Sequence, residues 1–360
     1  MPADAFPKRS NIQNFNFRRN QIVNIHENAF SSQNKLQYLT LSSNKLQRIP
    51  TKSINNLKLL KELFLDSNNI TAIKQKSFER MENLEWLHLA NNKIETIAGD
   101  AFVGLQRIKF LNLEGNRIQA IGQNTLAHLS GCMILDLSQN LIKRIHEKGF
   151  LSLVHLNQLK MESNLIGDSS IPAGLFARMG KLEVLNLSNN SLVGIPEGDT
   201  WTGLKKLESL HLTSNKLALV QANNFKHLKM LKRLFLDDNK IVTIEENAFV
   251  EMDNLAVIDM SDNQLDKILH NRFSPVTALT ELDLRNNRIK LIESGTFDTT
   301  TQLNKVDLGI VKTQNNHIKT TVKCIMLIII FKDKTNSPKL MSIYSSTVPN
   351  SKTWPWITIN

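Results

Sequence analysis

Cysteine is nearly missing from this chain, and that removes one way of holding a fold together. Of 360 residues only Cys132 and Cys324 are cysteines, too few for a disulfide framework. Catalytic signatures are missing as well. His26-Glu27 and His146-Glu147 open like H-E-x-x-H, but the fifth residue is Phe30 or Phe150. Neither a G-x-x-x-x-G-K-[ST] loop nor a G-x-G-x-x-G fingerprint occurs. An enzyme is therefore not expected, nor is a cofactor. Concentrated basic charge is also absent. The net charge is +11, but the residues from Gly309 onward supply seven Lys and one Asp of it. The first 308 residues hold 37 basic and 32 acidic side chains, mixed without a Lys/Arg-rich run. Nucleic acid is not an expected partner. No apolar run can cross a membrane: the longest candidate, Cys324–Phe331, has eight residues between Lys323 and Lys332, where about 20 are needed.

What the chain does have is repetition. The stretch from Leu84 to Phe102 reads L-x-x-L-x-L-x-x-N-x-I-x-x-I-x-x-x-x-F. Its asparagine recurs at Asn20, Asn44, Asn68, Asn92, Asn116, Asn140 and Asn164, each 24 residues after the last. Asn190, Asn215, Asn239, Asn263 and Asn287 follow at spacings of 26, 25, 24, 24 and 24. A near-fixed period of this length marks stacked supersecondary units.

The pattern dictates a shape. Leu84, Leu87 and Leu89 form a core too thin for one unit to bury, so units must stack. The L-x-L segment is a short strand, and stacked copies make a parallel sheet. The asparagine amide can bond backbone groups that the turn leaves without partners. Phe102 and its equivalents Phe30, Phe78, Phe150, Phe225, Phe249, Phe273 and Phe297 are expected to stack as a spine on the far side. Ile54, Leu126, Phe176 and Trp201 take that slot elsewhere. The expected fold is an α/β repeat solenoid: a horseshoe with a parallel concave sheet and an irregular or 3-10 convex side. The 24-residue form with phenylalanine in the spine resembles the typical extracellular leucine-rich repeat proteins, among them Slit, Toll-receptor, chaoptin and LRIG-like ectodomains. That resemblance implies a secreted or cell-surface receptor or adhesion protein that binds a protein ligand, a co-receptor or itself. The alternatives are a self-associating matrix protein and an intracellular scaffold. Members of these groups usually carry a leader, cysteine-rich caps and often a membrane anchor, which this sequence does not display.

Residues 1–308 read as one array of about twelve full repeats, partial at both ends. Met1 to Phe6 lacks the basic start and apolar run of a secretory leader. Phe6 stands 24 residues before Phe30, so the reading begins mid-repeat and implies residues upstream. Ile166–Pro172 carries two extra residues and Val193–Asp199 one, both read as loops that leave the strands unchanged. The asparagine expected at 311 is Val311, and 309–360 is a non-repeat tail, disordered or mis-spliced. It contains nine Ile and seven Thr but no Ala, Arg or Glu.

Candidate binding residues follow from period two. In L-x-x-L-x-L-x the third, fifth and seventh positions point away from the core and line the concave face. Tyr38, Phe64, Trp86 and Phe110 hold such positions in four consecutive repeats, with His88 beside them. Aromatic anchors are the usual centre of a protein interface, although neighbouring rings can also stack for stability alone. Asp259, Asp283 and Asp307 share the fifth position in three repeats. Like charges opposite one another are unfavourable, so Arg285, Lys305 and Arg233 are expected to neutralise them; otherwise the trio suits a basic partner or a cation with oxygen ligands. No resident metal is expected. His211 beside Ser209 and Thr213 shows no pre-set catalytic geometry. Asn69, Asn186 and Asn189 open sequons that can accept glycans, although Asn186 points onto the open sheet face, where a glycan would block binding. Cys132 fills a leucine slot and reads as a buried apolar thiol.

Overall fold

The computed structural model describes residues 1–309, apart from Asp4 and 7–10. Thirteen three-residue strands stack in chain order into one parallel sheet. They are β1 (Asn14–Asn16), β2 (Tyr38–Thr40), β3 (Glu62–Phe64), β4 (Trp86–His88), β5 (Phe110–Asn112), β6 (Ile134–Asp136) and β7 (Gln158–Lys160). Then follow β8 (Val184–Asn186), β9 (Ser209–His211), β10 (Arg233–Phe235), β11 (Val257–Asp259), β12 (Glu281–Asp283) and β13 (Lys305–Asp307). The twelve asparagines leave one strand uncounted, because β13 pairs with β12 without a ladder asparagine after it. Register is one repeat per strand throughout, as in Leu63↔Leu87↔Leu111. The central residue of each interior strand is buried and its neighbours are more open, as alternation requires, with Asp136 and Ser209 the buried exceptions.

The ladder asparagines explain why the units stay in step. Asn68 donates through Nδ2 to the carbonyls of Leu65 (3.0 Å) and Asp66 (3.2 Å) in its own turn. It also donates to Leu41 of the preceding repeat (3.0 Å) and accepts the Leu46 amide (3.0 Å) through Oδ1. One buried side chain thus satisfies backbone groups of two repeats. The same four-way pattern recurs through Asn287. Asn20 is the exception: it is exposed and, among the described residues, bonds only its own turn, to Phe17 and Arg18. The residue before each asparagine takes a left-handed conformation, from Ser43 (φ 54°) to Asn286 (φ 54°). Its amide then reaches the next repeat, as Ser67 donates to Ala90 at 2.8 Å.

Behind the sheet the spine forms as expected. Phe78–Phe102, Phe176–Trp201, Phe225–Phe249 and Phe249–Phe273 stack with centroids 5.7–6.3 Å apart and planes within 13°. Phe6 stacks on Phe30 at 5.7 Å. Gly203 lets two repeats close beside the spine, since a Cβ there would lie 2.0 Å from the Phe176 carbonyl oxygen.

The convex side holds very little helix: one turn at Thr51–Ile54 and two 3-10 segments, Asp168–Ser170 and Gly198–Trp201. Both 3-10 segments fall in or next to the insertions, so the extra residues curl locally while β7, β8 and β9 keep register. Elsewhere two-residue strands pair across that side, such as Ala72–Ile73 with Thr96–Ile97. Val311, Cys324 and the remainder of 310–360 lie outside the described residues.

Candidate functional site

Side chains facing the open sheet fall into three columns: the two outer residues of each strand and the residue two beyond it. Register sorts the aromatic residues between the first two. Tyr38, Glu62, Trp86 and Phe110 stand side by side in one column. Phe64 and His88 are paired in the next. The rings that meet are therefore Trp86–Phe110 (5.2 Å), Phe64–His88 (4.3 Å, nearly parallel) and His88–Phe110 (5.1 Å). They make a patch across β3, β4 and β5, roughly 10 Å wide, rather than a row over four repeats. Tyr38 lies apart because Glu62 occupies the strand between it and Trp86. Among the described residues Trp86 meets a ring on one side only, Phe110, and it retains 37 % of its surface exposed. Burial holds His88 below the usual imidazole range, with nearby Asp66 opposing, so its ring is neutral at pH 7.

At the other end, Asp259, Asp283 and Asp307 align on adjacent strands. Arg285 answers two of them. Its Nε donates to both Asp283 oxygens (3.0 and 2.9 Å) and lies 3.5 Å from Asp307 Oδ2. The hydrogen bond to Asp283 holds the guanidinium above its ordinary range. Of the other two cations expected there, Lys305 is drawn on by Asp283 and Asp307 only from a distance, and Arg233 makes no ion pair among the described residues. Lys305 sits opposite Glu281 in the first column and pairs with it at 3.0 Å. Arg233 stands beside Ser209 and Val257, on a strand whose second-column residue is Phe235. Asp259 is satisfied by Ser261, whose amide and hydroxyl donate at 2.9 and 2.7 Å. Among the described residues no group of three His, Cys, Asp or Glu side chains has metal-holding geometry.

A second aromatic pair was not singled out from the sequence. His211 stacks on Phe235 at 4.4 Å in the same column as Phe64 and His88. Its Nε2 also meets Ser209 Oγ at 2.9 Å, a fixed contact where the sequence showed none. Ser209 is only 2 % exposed, and among the described residues no carboxylate bonds the other ring nitrogen, so the pair lacks the third group that orients a base in a triad. The signal for it was present in the sequence as fifth-position residues in consecutive repeats.

This array has counterparts among known proteins. The leucine-rich repeat model matches 10–70, 58–118, 111–166, 169–217 and 205–265. The chain belongs to the leucine-rich repeat family. Podocan-like protein 1 of Mus musculus is 40% identical over 76 residues, which are 21% of this chain and 13% of that protein. The Toll–Spatzle complex from Drosophila contains a chain with the same fold: TM-score 0.72 at 22% identity, over 87% of this chain and 40% of that one. The TLR13–ssRNA13 complex contains another, with TM-score 0.69 at 25% identity over 83% and 46%. This chain thus spans well under two thirds of each of these relatives.

Leucine-rich repeat proteins are in general protein-interaction modules rather than enzymes. In this one, the sequon residues Asn69 and Asn189 sit at the turn after the strands. Asn189 is exposed, with Nδ2 donating to Ser163 Oγ at 3.0 Å, while Asn69 is half-buried. Asn186 does lie on the sheet face, where its Oδ1 accepts the Ser188 amide at 3.0 Å. Cys132 is fully buried, and burial pushes its thiol up to about 12. No helix among the described residues is long and apolar enough to cross a membrane.

Proposed function

We propose that this chain is the ligand-binding region of a secreted or cell-surface leucine-rich repeat protein of the receptor or adhesion kind, and that it takes a protein ligand on its concave sheet. The observation that carries this reading is the patch of Phe64, Trp86, His88 and Phe110, with Trp86 more than a third exposed. A partner covering that ring removes a large apolar surface from water at little entropic cost, which is how interface anchors work. The Toll relative was solved with Spatzle, a protein ligand. The TLR13 relative was solved with single-stranded RNA; against that class here stands the lack of a basic column on the sheet. The acidic trio at β11–β13 and the glycan acceptors Asn69 and Asn189 belong to the same proposal.

The test is capture of a ligand from extracellular proteins by the folded chain, followed by Trp86→Ala and Phe110→Ala. Each substitution should weaken binding by about 30-fold while the chain stays folded at the temperature of the assay. A captured ligand that binds both variants like the parent removes the aromatic patch from the site.

A further inference from the structure

The chain as a whole is basic, yet its open sheet is not. The three outward columns of β1–β13 carry ten carboxylates against five Lys or Arg side chains. Outside those columns the first 308 residues hold 32 basic and 22 acidic side chains. The sheet therefore has the opposite sign to the body that bears it. Four of the ten carboxylates are answered locally: Asp136 by Lys160, Glu281 by Lys305, and Asp283 and Asp307 by Arg285. The other six, Glu62, Asp66, Glu114, Glu162, Asp237 and Asp259, have no ion pair among the described residues. They are spaced along the sheet from β3 to β11, and they flank both the Trp86 patch and the His211–Phe235 pair.

Unpaired carboxylates gathered on one face repel each other and raise the cost of keeping the face charged. Two of them show that strain. Burial, with Asp136 and Glu114 adding to it, pushes the Glu162 carboxyl up. Burial likewise pushes Asp237 up, with Asp259 and Asp238 adding to it. One Glu162 oxygen is shut from solvent without a hydrogen-bond partner. Cations from outside would offset the repulsion between these carboxylates. An anionic partner would meet repulsion on the sheet and attraction everywhere else.

We infer that the concave sheet receives a basic polypeptide, whose Lys and Arg side chains lie along the unpaired carboxylates while an apolar side chain covers Trp86. This rests on the docking reading above and adds the charge of the partner to it. Complementary charge of this kind sets partner choice and encounter rate more than final affinity, so the binding should fall steeply as salt is raised.

The experiment titrates the full chain with fluorophore-labelled oligolysine and follows anisotropy. One variant neutralises the sheet (Glu114→Gln, Glu162→Gln, Asp237→Asn). A second makes the same change of net charge at exposed sites off the sheet (Glu82→Gln, Glu147→Gln, Asp253→Asn). Affinity should drop about tenfold in the first and stay at the parent value in the second. Equal affinities in all three proteins, or no binding to the parent, overturn the inference. So does an equal loss in both variants, which reports net charge alone. The two readings fail separately. A captured ligand that is lost with Trp86→Ala but is itself acidic overturns only the basic partner. Oligolysine bound along the carboxylates, beside a captured ligand indifferent to Trp86→Ala, overturns only the aromatic anchor.

Discussion

At the scale of single residues, the ladder asparagines are the least replaceable side chains in this chain. Asn140 is 4 % exposed and donates to Leu113, Leu137 and Ser138 at 2.9–3.1 Å while accepting the Ile118 amide. Alanine there leaves backbone groups of two repeats buried without partners. The expected cost is about 3 kcal/mol, read from urea unfolding. Asn20→Ala should cost less than about 0.5 kcal/mol, because Asn20 is exposed and, among the described residues, bonds only carbonyls of its own turn. Equal costs would mean that the asparagine acts through its own turn and not through the contact between repeats. Position in the period was enough to find all twelve asparagines in the sequence. It did not separate Asn20 from the rest, since that difference depends on a neighbour and not on the motif.

At the scale of elements, strands and spine were legible while the meetings between side chains on the sheet were not. The period places Leu87 in the core and Trp86 and His88 on the open face. It does not say that His88 leans back onto Phe64 (4.3 Å) or that His211 leans forward onto Phe235 (4.4 Å). Those choices depend on rotamers, which the spacing leaves free. They have a consequence for pH. Burial holds both imidazoles below their ordinary value of 6.5, so protons bind the unfolded chain more readily than the folded one. The stability they contribute is complete above that value and is lost as pH falls below it through their lower folded values. In His88→Phe/His211→Phe both rings remain aromatic and neither titrates. The fall in melting temperature between pH 7 and pH 5 should therefore be smaller in the double variant than in the parent. Glu162 and Asp237 are common to both proteins, so they drop out of the comparison. Identical slopes would show that the two histidines protonate freely in the folded sheet.

At the scale of the whole molecule, stability is a chain of contacts between neighbouring repeats, and a chain opens at its weakest link. Convex strand pairing is interrupted between Ile97 and Ala120, between Ile244 and Lys267, and across the two insertions between Asn164 and Asn215, and the last of these gaps is the longest. Paired convex strands join the repeats before it, at Ala120–Ile121 and Arg144–Ile145, and after it, at Leu219–Val220 and Thr243–Ile244. Within it a side chain stands in: Asp168 Oδ1 accepts the amides of Val193 (2.8 Å) and Gly194 (3.2 Å). The sequence showed two loops rich in Gly, Pro and Asp here, and the strands do pass through them unchanged. It did not show that one exposed carboxylate replaces a backbone pairing. Asp168→Ala should remove about 1 kcal/mol of coupling, small against the whole but placed at one interface. Hydrogen exchange with increasing denaturant should then show amides before residue 167 and those after residue 200 opening at different denaturant concentrations. In the parent the two sets should open closer together. A variant that still opens as one unit would place the cooperative link in the ladder and spine alone, where Asn190, Asn215 and the Phe176–Trp201 stack run through the insertion without a break.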